Sequence, residues 1–212
     1  MEDPGDALNV SNGVTVVVVT GGPLDAAVSD PRLDVERLAG AVVIAADSGV
    51  DRARAAGWPV HRVVGDLDSA TPDGLAWARA GGAVVEAHEP DKDATDLELA
   101  VDAALALAPD RLLVVGSNGG RLDLQLADLL LLAGPALADI EVTAWFGPAT
   151  VTVVRPGRPR RLAGGELDLV SLLPIHGPAT GVQTTGLHWA LRDATLVSGT
   201  TRGASNQLVD TA

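Results

Sequence analysis

A helix-wrapped parallel sheet followed by a small antiparallel β part is the fold class this sequence predicts. Three observations carry it. Short β-branched runs alternate with helical patterns through the first two thirds of the chain. The helical period then disappears near residue 148. Beyond that point Pro156, Gly157, Gly164, Gly165, Gly177, Pro178 and Gly186 break the chain into short strands.

The elements follow in order. Residues 14–19 form a valine-rich strand candidate, and a helix includes residues 34–39. Strand 42–46 leads to a helix near 50–56, and strand 61–64 to a helix near 72–80. Strand 83–86 precedes a clear helix over 95–107, strand 112–115 precedes a helix over 122–132, and strand 141–144 closes the series. The stretch 122–137 is apolar but interrupted by Asp123, Asp128, Gly134 and Pro135, and it reads as a buried helix. The remaining strands are expected at 150–154, 166–172, 180–185 and 194–198. The boundary between the two parts falls around Phe146 to Ala149, giving domains 1–147 and 148–212.

Composition narrows the function. The chain has 212 residues, of which 47% are hydrophobic, enough to build a core. A formal net charge of −13 argues against general nucleic-acid binding, which needs clustered Lys and Arg. A bound nucleotide would need metal ions to screen its phosphates. There is no cysteine, hence no disulfide or thiolate chemistry, which suits a reducing cytoplasm. The acidic N-terminus lacks the apolar region of a signal peptide. The run 14–19 falls far short of the roughly 20 apolar residues that span a bilayer, so no membrane role is expected. The one lysine, Lys92, lies inside an acidic cluster.

Ligands of open parallel sheets bind beyond the carboxyl ends of the strands, so the residues after each strand matter most. They are Thr20-Gly21-Gly22, then Asp47-Ser48-Gly49, then Gly65-Asp66-Leu67-Asp68-Ser69. After the fourth strand come Lys92-Asp93-Ala94-Thr95-Asp96, and after the fifth Gly116-Ser117-Asn118-Gly119-Gly120-Arg121-Leu122-Asp123. Glycines, carboxylates, one Lys and one Arg on a single rim are the inventory of a metal–polyphosphate site. Asp66 and Asp68, two apart, would point to the same side of an extended segment and suit Mg²⁺, a hard ion that takes oxygen ligands. Asp-x-Asp is common, and taken alone it reads more readily as a solvated Asp-rich turn. Asp93 and Asp96 share a helical face if both are helical. Thr95 and Glu98 have the form of a capping box, and carboxylates there also offset the helix dipole. Lys92 beside them offers charge to a phosphate. Arg121 opens a helix after a glycine-rich loop, where backbone N–H groups and a guanidinium fork favour anions. The chain has neither a P-loop nor a Gly-x-Gly-x-x-Gly fingerprint.

Together Ala46-Asp47-Ser48-Gly49, Gly65-Asp66-Leu67-Asp68-Ser69, Lys92-Asp93-Ala94-Thr95-Asp96 and Gly119-Gly120-Arg121-Leu122-Asp123 resemble the thiamine pyrophosphokinase family. The β part adds Thr184-Thr185-Gly186-Leu187-His188-Trp189-Ala190-Leu191 and Ser205-Asn206. The resemblance implies a Rossmann-like α/β/α nucleotide domain, a β-sandwich domain and a homodimer with sites at its interface. It implies Mg²⁺–ATP as donor, thiamine as acceptor and AMP as leaving product. By the same resemblance Asp66, Asp68 and Asp96 serve metal and phosphates, with Lys92 and Arg121 beside them. Asp47 lines the nucleotide site, and Trp189 stacks on the cationic ring of thiamine, chemistry that a Trp face favours. Ser69, Thr95, Gly119, Gly120, Asp123, Thr185, Ser205 and Asn206 belong to the matching motifs and are implied as substrate contacts.

Three positions depart from the family pattern. Leu124 stands where a His is usual, Asp128 where an Asn is usual, and Ser48 replaces a glycine. The chain also stops soon after Ser205-Asn206, where the resemblance implies further strand, so the sandwich is read as truncated or minimal. Two other functions remain open on sequence alone. One is a same-fold pyrophosphokinase for another alcohol, such as a hydroxymethyl-pterin. The other is a binding or regulatory protein without turnover. Trp189 also admits a plain reading as a core residue of the β part.

Overall fold

The computed structural model describes residues 13–22, 38–116 and 120–209. The expected helix 34–39 lies mostly outside them, as does Gly119. Contacts divide the chain into two units that part between Arg155 and Pro156.

The first unit is built on a run of valines. In β1 (Thr15–Val19), Val16, Val17, Val18 and Val19 are all fully buried. A strand covered on both faces has no use for polar alternation, and β-branched side chains fit its pleat. Each such valine contributes roughly 1.5–3 kcal/mol by leaving water. β1 pairs in parallel with β2 (Val42–Ala46) on one side and β5 (Arg111–Gly116) on the other. Beyond β2 lie β3 (Arg62–Gly65) and β4 (Val84–Ala87), also parallel. Beyond β5 lie β6 (Glu141–Phe146), parallel, and β7 (Ala149–Thr152), antiparallel. The sheet order is β4-β3-β2-β1-β5-β6-β7. The chain therefore reverses its direction of travel across the sheet at β1 and β5, the place where α/β proteins hold ligands.

Helices cover both faces. Val17, Val19 and Val43 pack with Val50 and Ala53 of α1 (Gly49–Ala56) and Ala78 of α2 (Pro72–Ala80). Val16, Val18 and Ile44 pack with Leu97, Ala100, Val101 and Ala104 of α3 (Asp96–Leu105) and Leu132 of α4 (Leu122–Leu132). Local chemistry sets the ends. Thr71 caps α2 by accepting from Gly74 N–H, with Pro72 at the first helical position. Thr95 caps α3 by accepting from Glu98 N–H at 3.1 Å, as the capping-box reading expects. At the start of α1, a Cβ on Gly49 would fall far inside contact with the Val19 carbonyl oxygen, so only glycine lets helix and strand meet.

Two expectations are corrected. The stretch 122–137 is not one buried helix. α4 ends at Leu132, a separate 3₁₀ turn covers Pro135–Leu137, and only Leu132 of α4 is buried. Leu122, Leu126 and Leu130 are 77%, 55% and 38% exposed along one stripe. Gly134 and Pro135 stop the helix, and the opposite face is turned to a cavity rather than to core. The second correction concerns strand 150–154, expected in the β part. Its counterpart β7 turns back at Gly147 and Pro148 and pairs with β6, Phe146 opposite Ala149, so it belongs to the main sheet.

The second unit holds short antiparallel pairs. β8 (Leu169–Val170) pairs with β11 (Asn206–Gln207), and β9 (Ala179–Val182) with β10 (Ala194–Leu196). A bridge joins Leu187 to Leu208. Leu187, Ala194, Leu196 and Leu208 are its buried apolar residues. The strands are shorter than the runs 166–172, 180–185 and 194–198 expected from sequence, because turns interrupt each run.

Candidate active site

The rim loops of the parallel sheet meet around a cavity of about 420 Å³. Thr20 and Gly21 enter it after β1, Asp66 after β3, and Lys92, Thr95 and Asp96 at the head of α3. Arg121, Leu124, Gln125 and Asp128 line it from α4, and Phe146 from the end of β6.

The Asp66-Leu67-Asp68 loop is not extended, as the sequence reading has it. Leu67 takes φ +64°, a left-handed conformation that costs a non-glycine residue energy. Asp66 Oδ1 accepts from Asp68 N–H at 3.3 Å, which closes the loop as an Asx turn. The carboxylates still converge, and a third joins them. Asp47, Asp66 and Asp68 each offer an oxygen within 4.8 Å of the others. Asp47 also adopts a positive φ, 47°, and is only 7% exposed. Its N–H donates to Val64 O at 2.8 Å, so β2–β3 pairing carries it to Asp66 and Asp68. Ser69 Oγ donates to Asp47 Oδ2 at 2.6 Å and lies 3.0 Å from Asp68 Oδ1. Asp47 Oδ1 is buried with no partner. An orphaned carboxylate oxygen among hard oxygen donors fits a divalent cation of the Mg²⁺ kind. Sequence reasoning assigned Asp47 to the nucleotide and missed its place in this cluster.

Asp96 stands apart from that trio. It opens α3, and its Oδ1 forms an ion pair with Lys92 Nζ at 3.1 Å. Lys92 Nζ also donates to Asp66 Oδ2 at 3.2 Å. The Asp68 N–H and then Lys92 hold the Asp66 carboxyl below its ordinary range. Burial lowers the Lys92 pKa, but pairing with Asp96 and Asp66 outweighs it and leaves the ammonium above its usual value. Gly65 makes the approach possible. A Cβ there would meet Asp47 Cβ and Asp96 Oδ1, each at 3.1 Å, and its φ of +146° suits glycine.

Arg121 is exposed and forks onto Asp123, Nε to Oδ1 at 3.2 Å. That hydrogen bond raises the guanidinium pKa and lowers that of Asp123. Gly120 beside it takes φ +91°. Asp128 is half-buried, and burial pushes its carboxyl up. Arg52, 1% exposed, had no sequence signal. Its Nη2 donates to Gly21 O at 3.0 Å and braces the loop after β1, and burial lowers its pKa.

In the second unit Trp189 is 58% exposed, which argues against the plain core reading, and it meets His188 edge-to-face at 4.7 Å. Asn206 is buried and bonds to the Trp189 backbone. Ser205, at φ +56°, donates its N–H to Ser171 Oγ, and Thr185 is exposed.

Comparison with known proteins bears on this arrangement. The family model described as thiamin pyrophosphokinase, catalytic domain, matches residues 38–144. The one described as thiamin pyrophosphokinase, vitamin B1 binding domain, matches residues 160–212. Thiamine pyrophosphokinase of Bacillus subtilis (strain 168) is 26% identical over 195 residues, 92% of this chain and 90% of that protein. A crystal structure of thiamine pyrophosphokinase from Bacillus subtilis has a TM-score of 0.76 at 25% identity, covering 93% of this chain and 91% of that one. Yeast thiamin pyrophosphokinase shares the fold, with a TM-score of 0.70 at 13% identity over 96% of this chain and 82% of that one. With both family models matched in order along the sequence, this chain belongs to the thiamin pyrophosphokinase family.

Proposed function

We propose that this chain transfers a pyrophosphoryl group from Mg²⁺–ATP to the hydroxyl of thiamine, releasing AMP. The observation that carries the reading is the convergence of Asp47, Asp66 and Asp68 beside Lys92 at the carboxyl rim of a parallel sheet. Oxygen donors for a divalent ion and a cation for phosphate, placed together, are what polyphosphate chemistry requires.

The thiamine hydroxyl oxygen forms a bond to the β-phosphorus as its proton passes to solvent, and the bond from that phosphorus to the oxygen bridging to the α-phosphate breaks, leaving AMP. Such transfer is chiefly positioning and charge stabilisation. Asp47, Asp66 and Asp68 would hold Mg²⁺, which supplies charge neutralisation on the phosphate oxygens. Lys92 sits within reach of both Asp66 and Asp96 and adds its own charge to the phosphates. Asp96 keeps that ammonium in place. Ser69 orients Asp47 and Asp68. Trp189 offers its exposed face to the cationic thiamine ring. A nucleotide domain followed by a thiamine-binding β domain, the remaining substrate contacts, a homodimer and a cytoplasmic location belong to the same reading. No helix among the described residues is long and apolar enough to cross a membrane.

The test is AMP release from ATP and Mg²⁺, with and without thiamine, read beside formation of thiamine diphosphate. Thiamine-dependent AMP with matching product establishes the reaction. AMP that appears only with a different alcohol moves the acceptor, and none with any alcohol leaves a binding protein.

A further inference from the structure

One carboxyl group in the cavity has no role in the reading above. Asp128 lines it from α4, on the helical face it shares with Arg121, Leu124 and Gln125. That face is opposite the exposed stripe of Leu122, Leu126 and Leu130. Asp66 and Asp96 are paired with Lys92, but Asp128 has neither a hydrogen bond nor an ion pair among the described residues. Burial is the cause that pushes its carboxyl up, which marks a group short of donors.

Its position is informative. Thr20 and Gly21 follow β1 and α4 follows β5, so Asp128 stands at the reversal point of the sheet, where such proteins hold nucleotides. Lys92 walls the same cavity, so one nucleotide with its phosphates at Lys92 brings its nucleoside toward α4. The chemistry of the carboxylate then selects among nucleoside groups. An ionised carboxylate only accepts hydrogen bonds. The adenine edge alternates donor and acceptor and is matched by an amide. A vicinal diol presents two donors, which the two oxygens of one carboxylate accept together. Leu124 and Phe146 supply apolar wall beside it.

We infer that Asp128 is a specificity-determining residue that accepts hydrogen bonds from the 2′- and 3′-hydroxyls of the donor nucleotide's ribose. This rests on the reading of the cavity as the ATP site. Asp128 thereby makes the protein discriminate against deoxynucleotides.

The experiment is calorimetric binding of ATP, 2′-deoxyATP and 3′-deoxyATP to the wild type, Asp128→Ala and Asp128→Asn. The wild type prefers ATP over either deoxy analogue by about tenfold or more, the worth of a hydrogen bond to a charged group. Asp128→Ala brings the ratio close to one and leaves thiamine affinity unchanged. Asp128→Asn, of the same shape, folds normally and gives an intermediate ratio, because it keeps one acceptor. An unchanged ratio in both variants overturns the inference. So does a loss of thiamine affinity in place of ribose discrimination, or a wild type that binds no nucleotide. AMP release by the wild type with ATP and thiamine is measured alongside. Its absence sinks the proposed reaction, while the binding ratios still decide the role of Asp128.

Discussion

Asn206 grips Trp189 by both backbone groups. Its Oδ1 accepts from Trp189 N–H at 3.0 Å, and its Nδ2 donates to Trp189 C=O at 2.9 Å. The amide is buried, and its Oδ1 also accepts from Gln207 N–H at 2.9 Å. Asn206 thus fixes the backbone that carries the indole. Trp189→Ala is expected to raise the KM for thiamine by about tenfold and leave the KM for ATP nearly unchanged. Asn206→Ala moves the same parameter and lowers stability by about 1–3 kcal/mol, since the Trp189 groups lose their partners. Steady-state kinetics with each substrate varied, together with urea unfolding, check both. Equal loss for the two substrates points to a folding defect.

Ser69 ties Asp47 to Asp68 through its hydroxyl. Ser69→Ala is therefore expected to raise the Mg²⁺ concentration needed for half-maximal activity by about 10–100-fold. Asp68→Asn removes one of the proposed Mg²⁺ ligands and is expected to lose most turnover, while its exposed position spares the fold. Magnesium titrations of AMP release, with circular dichroism as the fold control, separate the two effects.

Lys92 helps to keep the Asp66 carboxyl below its ordinary value of 3.8. A group depressed in the folded state stabilises it above the unfolded pKa, and that stability is lost as pH falls through the folded pKa. Lys92→Met is expected to raise the Asp66 pKa toward the ordinary value, short of it because the Asp68 N–H remains. The wild type should then exceed the variant in stability near neutrality and converge on it in acid. Carboxyl NMR titration and urea midpoints at neutral and acid pH provide the check. A gap that persists in strong acid would remove the Asp66 coupling as its cause.

The junction of α1 with β1 is as tight as backbone allows. Gly49→Ala forces a methyl into the Val19 carbonyl. The cost of such overpacking is about 2–3 kcal/mol, or about 5–10 °C in Tm for a chain of this length. Differential scanning calorimetry measures it directly.

Much of the first unit was legible because burial on both faces leaves a plain mark. Val16 to Val19 and Leu112 to Val115 read as strands since nothing polar is tolerated there. The rim loops were legible because parallel strands present their ligand side at one end only. The place of Asp47 in the carboxylate cluster was not legible because its approach to Asp66 and Asp68 depends on β2–β3 pairing and a left-handed backbone, neither visible in spacing. α4 misled for a different reason. A leucine-rich helix reads as core, yet one of its faces borders a cavity and another is exposed. The turn at Gly147 and Pro148 hid the direction of β7, because a strand looks the same in sequence whichever way it runs.

The chain holds its only lysine amine between Asp66 and Asp96. Apart from the terminal amine, an acylating reagent meets a single target, and that target is inside the cavity. The carboxylates keep it protonated and slow to react. Mass spectrometry of acetylated protein thus reads the occupancy of the cavity from one peptide, with no label engineered and no residue changed.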